Sequence, residues 1–247
     1  MPVSETISIA LLFLLGAALY SSVGHGGASS YLAVMGLFSL SPEVMKPTAL
    51  ALNILVAAVA TMKFYRAGLF KWELFWPFAI ASIPAAFIGG ATILPSHWYK
   101  ILVGVVLLYA AVWMFSSSLR ATQREPRTPP LWAAIIAGLL IGFLSGLTGV
   151  GGGIFLSPLL LYMGWSETRA TSAVAAPFIL VNSIAGLLGH LSSVRQLPPN
   201  IPIWAVAVVI GGWIGATYGS RRAPTAVLRQ LLSLVLIVAG LKLAFGT

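Results

Sequence analysis

The chain has 247 residues, of which 59% are apolar and only 8% charged, with a formal charge of +9. An ordinary soluble domain is about a quarter charged, so a water-facing surface cannot be assembled here and lipid is the natural solvent. The absence of cysteine excludes disulfides, thiolate metal sites and thiol catalysis, and the basic residues sit in short loops without interleaved aromatics, which argues against nucleic acid as a partner.

About twenty apolar residues cross a bilayer. Taken in chain order, the long spans are 7–23, 48–64, 74–94, 99–115, 131–148, 171–191, 203–219 and 226–245. The first run lacks a basic flank and a small-residue cleavage site, so it reads as a membrane helix and not a removed signal. Two shorter apolar stretches, 29–40 and 154–163, each follow a glycine cluster and are too short to cross as ordinary helices. A polar segment with Arg120, Arg124, Glu125 and Arg127 reads as a cytoplasmic linker at 118–130, between a first transmembrane repeat at 1–117 and a second at 131–247.

The two halves match. Gly24-His25-Gly26-Gly27 corresponds to Gly149-Val150-Gly151-Gly152 at a separation of 125, and Thr48-Ala49 to Thr171-Ser172 at 123. Ile88-Gly89-Gly90 corresponds to Ile214-Gly215-Ala216 at 126. Matched anchors in constant order are the mark of an internal duplication. The excess of Lys and Arg on cytoplasmic loops sets the orientation. Lys63, Arg66 and Lys71 crowd one loop, and Arg120, Arg124 and Arg127 another. If each short helix completes a crossing, Arg169, Arg221, Arg222 and Arg229 join them inside, leaving Lys46, Lys100, Arg195 and Lys242 outside. The re-entrant alternative exchanges Arg195 and Lys242 for those four arginines and weakens the bias. The expected fold is therefore an all-α, polytopic transmembrane helical bundle of two inverted repeats, each of four long helices and one short half-helix, with both termini outside.

The glycine clusters carry most of the functional signal. A helix broken inside a membrane exposes N–H groups that lipid cannot satisfy, and its N-terminus carries about half a positive charge. Two such ends facing each other would hold a small anion near the midplane. Candidate binding groups are Gly24, His25, Gly26, Gly27, Ala28 and Ser29 in the first half, and Gly149, Val150, Gly151, Gly152 and Gly153 in the second. Thr48, Thr171 and Ser172, at the starts of the next long helices, and Asn53 and Asn182 deeper within them, add hydroxyl and amide donors for an oxyanion. The bland alternative for these side chains is interhelical hydrogen bonding, and for the dispersed pairs around Gly89 and Gly211 it is close packing. His25 could donate to an anion or carry a coupling proton, or could be structural. His97 and His190 read as interfacial. Lys46 and Arg169 read either as anchors or as attractors of solute at opposite mouths.

Gly149 to Gly153 followed by Ser157-Pro158 and Arg169-Ala170-Thr171-Ser172, together with Gly24 to Gly27 followed by Lys46-Pro47-Thr48, resembles the TauE/SafE sulfite-exporter family over essentially the whole chain. The resemblance implies transport of a small sulfur-containing anion such as sulfite, thiosulfate or an organosulfonate, and a multi-pass protein of the bacterial cytoplasmic membrane. The halves depart from one another at His25 and Ala28, against Val150 and Gly153, so the two ends of the site should be chemically unequal. No cofactor is implied, and three scattered histidines give no metal-ligand spacing. All five acidic residues are glutamates at span ends or in loops, which disfavours a carboxylate-driven cation pump. An anion channel is the nearer rival function and an intramembrane enzyme the farther one, since no nucleophile here has a base and an orienting acid. Monomer and homodimer both stay open.

Overall fold

The described residues form ten α-helices and no strand. They are α1 (Val3–Ser21), α2 (Ala28–Leu37), α3 (Pro42–Arg66), α4 (Trp72–Ala91), α5 (Ser96–Ser117), α6 (Leu131–Thr148), α7 (Gly153–Tyr162), α8 (Thr168–His190), α9 (Ile201–Arg221) and α10 (Ala226–Phe245). The computed structural model describes residues 2–117, 126–190, 197–221 and 226–245, without the side chains at 114, 117, 226–232 and 235. Arg120, Arg124, Glu125, Arg195 and Arg222, and the side chain of Arg229, lie outside the described residues. So does most of the expected linker, although the Arg127 N–H donates to Gly164 O at 2.9 Å.

Among the described residues, seven helices are long and apolar enough to cross a membrane: α1, α3, α4, α5, α6, α8 and α9. The two short stretches are ten-residue helices, α2 and α7, each about 15 Å long and so half a hydrocarbon core. Both start on a glycine in the left-handed region, Gly27 at φ 102° and Gly152 at φ 85°, where a side chain would be strained. Several helix ends differ from the expected bounds by a few residues, most of all the start of α3. α3 begins at Pro42, with proline in its first turn where no N–H is needed, so Thr48 lies in the second turn and not at the start.

Glycines spaced by four set the helix directions. On α9, a Cβ at Gly211, Gly215 or Gly219 would come within 2.2 Å of Leu14, Ala18 or Ser22 carbonyl oxygen, so α1 and α9 run side by side in the same direction. On α6, Gly138, Gly142 and Gly146 meet Phe78, Ser82 and Ala86 oxygen in the same way, which makes α4 and α6 parallel. These contacts are backbone against backbone, the close approach that small residues permit in membranes. α3 and α8 are antiparallel: Ala60 and Phe64 cluster with Ala173 and Ala176, and Asn53 meets Ser183. α5 and α10 are also antiparallel, with Gly104 against Ala244 and Gly240 against Leu108. Thus α1, α3 and α9 point one way, and α4, α6 and α8 the other.

Two faces result. The terminal face holds the starts of α1, α3, α5 and α9 and the ends of α2, α4, α8 and α10. It is tied by Asn200 to Thr6, Ser96 to Glu43, and Lys242 to Leu37 O and Ser39. The linker face holds the opposite ends, where Arg169 on α8 meets Ser220 on α9. Of the described basic side chains, Lys63, Arg66, Lys71, Arg127, Arg169 and Arg221 belong to the linker face, against Lys46, Lys100 and Lys242 on the terminal face. The excess on the linker face is the bias that the positive-inside rule expects of a cytoplasmic face.

Candidate functional site

The two glycine turns meet at the middle of the bundle. In the first, the N–H groups of Val23 and His25 return to Tyr20 O, and that of Gly24 to Ser21 O, closing the end of α1. Gly24 then packs against the backbone of Ser172 on α8, while Gly149 of the second turn packs against Lys46 on α3. Fully buried Asn53 sits between the turns. Its Oδ1 accepts from Ala28 N, the first N–H of α2, at 3.2 Å. Its Nδ2 donates to Ser183 Oγ at 2.9 Å and approaches Val150 O at 3.5 Å. A Cβ at Gly26 would lie 2.0 Å from Asn53 Oδ1, and one at Gly151 2.2 Å from Nδ2. The central glycines are therefore demanded by the closeness of this amide. His25 makes a second link, with Nδ1 3.1 Å from Val23 O and Nε2 3.1 Å from Gly153 O; the tautomer decides which nitrogen donates.

Beside this junction lies a cavity of about 50 Å³, lined by Tyr20, Val23, His25, Trp113, Ile154, Ser157, Leu161, Thr168, Thr171 and Ser172. One water needs roughly 10–15 Å³ on the same measure, so the space suits a few waters or one small ion. Its lining comes from the ends of α1 and α5, all of α7 and the start of α8, which places it in the half of the bundle toward the linker face. Three of its hydroxyls, Tyr20 Oη, Ser157 Oγ and Thr171 Oγ1, are buried without a hydrogen-bond partner. The Ser29 side chain is close to Tyr20 Oη but outside well-formed hydrogen-bond geometry. Buried hydroxyls are ordinarily satisfied, so these three call for something in the cavity. Among the described residues its wall carries no carboxylate, and Ile154 from the first turn of α7 brings a helix N-terminus, the positive end of the helix dipole, to it. The N–H groups of Gly151, Gly152, Gly153 and Ile154, and of Gly26, Gly27 and Ser29, make no hydrogen bond to another described residue.

Of the residues singled out in the sequence, His25, Thr171 and Ser172 line this cavity. Gly24, Gly26, Gly27, Ala28, Ser29, Gly149, Val150, Gly151, Gly152 and Gly153 form the turns beside it, and Asn53 braces them. Asn182 is used within its own helix, Nδ2 donating to Phe178 O at 2.8 Å while Oδ1 has no partner. Thr48 is buried on the opposite side of the turns, and its hydroxyl is also unpartnered. Sequence reasoning missed Tyr20, Trp113 and Thr168, and gave Ser157 no role in binding. Ser157 stands in the motif after the second glycine cluster, and that was the available signal.

Lys46 is neither an exposed anchor nor a solute attractor at an open mouth. It is 4% exposed, and its Nζ donates to Gly90 O at 2.9 Å, Thr92 O at 3.2 Å and Gly89 O at 3.3 Å. These are the orphan carbonyls at the end of α4, where a cation also opposes the helix dipole. Arg169 does the same for α9, Nη2 donating to Ser220 O at 2.7 Å. His190, the last residue of α8, is 8% exposed and lies beside Lys46 and the Gly90 carbonyl.

The chain matches the family model described as Sulfite exporter TauE/SafE over residues 9–243. It is 44% identical over 243 residues to the probable membrane transporter protein y4hK of Sinorhizobium fredii, covering 97% of this chain and 98% of the relative. It is 23% identical over 271 residues to the probable membrane transporter protein YunE of Bacillus subtilis, covering 97% of each. A probable membrane transporter protein of Methanocaldococcus jannaschii is 28% identical over 185 residues, 69% of this chain and 67% of the relative. No solved structure matches. With its seven membrane-length helices, the protein is a multi-pass protein of the bacterial cytoplasmic membrane. A whole-length family match and a close transporter relative, on a helical bundle with paired helix breaks, identify the chain as a membrane transporter belonging to the TauE/SafE family.

Proposed function

We propose that the protein moves a small sulfur oxyanion or organosulfonate by alternating access, and that the anion binds in the cavity beside the two glycine turns. The observation that carries this reading is the set of orphan hydroxyls, Tyr20, Ser157 and Thr171, around a carboxylate-free space beside His25 and the start of α7. Donors without acceptors favour an anion, whose oxygens accept only. Two broken helices meeting at mid-bundle is the arrangement in which transporters hold solutes. The free N–H groups of both turns supply further donors. Position favours cytoplasmic access to the cavity in this state.

The reading includes two inverted repeats, α1–α5 and α6–α10. Each half has one long helix, one ten-residue helix and three long helices in that order, and the packing is reciprocal: α1 lies on α9 as α6 lies on α4, while α3 and α8 pair with each other. Because α1 is parallel to α9 and antiparallel to α6, the two-fold relation lies in the membrane plane. The 22–27 stretch runs from Ser172 at the linker face to Asn53 halfway along α3, and α2 continues to Lys242 at the terminal face, which supports a crossing completed by the first short helix.

The test is thermal stability of the purified protein against sulfite, thiosulfate, sulfate, sulfoacetate, taurine and chloride, with a Thr171→Val variant alongside. A ligand that binds only the folded state raises apparent stability by mass action. A shift with a sulfur oxyanion, weakened about 10-fold or more in affinity by Thr171→Val as expected for one hydrogen bond to a charged group, supports the assignment. The variant should keep its own stability, since the hydroxyl has no protein partner to lose. No shift with any anion, or equal affinity in the variant, refutes this site.

A further inference from the structure

Of the seven buried hydroxyls without a partner among the described residues, four fall into two matched pairs, and Thr61, Ser157 and Thr217 have no such counterpart. Tyr20 and Thr171 line the cavity. Their counterparts at the repeat separations of 125 and 123 are Ser145 and Thr48, also fully buried and also without partners. Ser145 and Thr48 are not in the lining of that cavity. Where the cavity has Thr168, the matching position is Met45, fully buried in an apolar cluster with Leu32, Met35, Val150 and Leu243. A side chain that must be desolvated without a bond is costly, and its presence twice, at related places, needs one explanation.

From these matched sets we infer that the protein has a second vestibule on its terminal face, closed in this state, built around Thr48 and Ser145 and taking the same class of small oxyanion. The inference rests on the transporter reading and deepens it by naming the far half of the path. Lys46 and His190 stand at its mouth. Both are buried and both lie at the Gly90 carbonyl, and His190 Nδ1 is unpartnered. Two basic side chains suit an anion arriving from, or leaving to, that face, although Glu43, bonded to Ser96, stands one turn away on α3. The same Lys46 closes the mouth, because its three bonds pin the end of α4 against α3. Tyr99 Oη adds a tie across the halves to Thr148 O at 2.9 Å. Opening the vestibule requires Lys46 to leave those carbonyls, so that its charge becomes available to the anion as the path opens.

The cysteine-free chain allows a direct test. Thr48→Cys and Thr171→Cys are introduced singly, reconstituted in vesicles of known orientation, and labelled with a membrane-impermeant charged maleimide from each side. Met45→Cys provides a second probe of the closed vestibule. Thr171→Cys is expected to label from the linker face, and Thr48→Cys and Met45→Cys slowly from the terminal face. Adding Lys46→Gln to each should speed terminal-face labelling at least tenfold and slow labelling at position 171. Labelling needs no transported anion, so the outcomes separate. If position 171 labels but 48 and 45 stay unreactive even with Lys46→Gln, or label only from the linker face, this inference is wrong and the cavity stands. If position 171 is itself unreactive, the cavity reading falls and this one with it.

Discussion

Replacing Asn53 with alanine tests whether one amide holds the two turns together. The substitution leaves the Ala28 N–H without its acceptor and Ser183 Oγ without its donor, while the 3.5 Å approach to Val150 O is too long to count. A stranded buried N–H costs about 1–3 kcal/mol, and a side-chain bond between membrane helices averages about 0.6 kcal/mol. Together with the void left between Gly26 and Gly151, the loss comes to about 2–4 kcal/mol. For a chain of this size each kcal/mol moves the melting temperature by roughly 2–4 °C, so Asn53→Ala should melt about 4–16 °C below the parent protein in the same detergent. Asn182→Ala is the control. Its only described bond is to Phe178 O in its own helix, so it should cost less than about 1 kcal/mol. Ser183→Ala, which removes one of the two partners, should fall between them. An Asn53→Ala protein melting within 2 °C of the parent, or an Asn182→Ala protein equally damaged, would refute the assignment of Asn53 as the brace.

The helix-contact glycines should divide sharply. Gly215→Ala places a Cβ 1.9 Å from Ala18 O and should abolish stable accumulation in the membrane, whereas Gly186→Ala, whose nearest contact is 3.3 Å, should be tolerated; quantitative expression with size-exclusion profiles decides. Lys46→Met should lower the melting temperature by about 4–12 °C, because three charge-assisted donations to the end of α4 disappear while their carbonyls stay buried; an unchanged melting temperature would show that the cap contributes nothing.

Much of this fold was legible because a bilayer leaves few choices. Runs of apolar residues near the length of a hydrocarbon core fixed the long helices, and the glycine clusters at 24–27 and 149–153 marked the breaks before α2 and α7. The dispersed glycines at 89, 90, 211, 212 and 215 were read as packing positions, and their contacts are backbone or tightly apposed side chains. The site was less legible. The clusters pointed to the junction, yet the cavity wall draws on Tyr20, Trp113 and Thr168, which lie far apart in sequence and carry no local signal. Lys46 misled for a physical reason: a lysine two residues before an apolar span looks like a snorkelling anchor, and only tertiary contact reveals the α4 carbonyls that receive it. Asn53 and Asn182 look alike in the sequence, but one faces the turns and the other faces along its own helix.

The exchange of first helices between the halves also governs how the protein can be made. α1 leaves the ribosome about 180 residues before α9, the helix whose glycine stripe receives it. At roughly 5–20 residues per second that is a wait of about 10–40 s, during which Ala18 and Ser22 carbonyls have no native neighbour. The first five helices cannot complete themselves either, since α4 waits for α6. A chain cut at the linker should therefore yield two fragments that each insert but stay unfinished until they meet, and quality control in the membrane has a long interval in which to recognise the unpaired first helix.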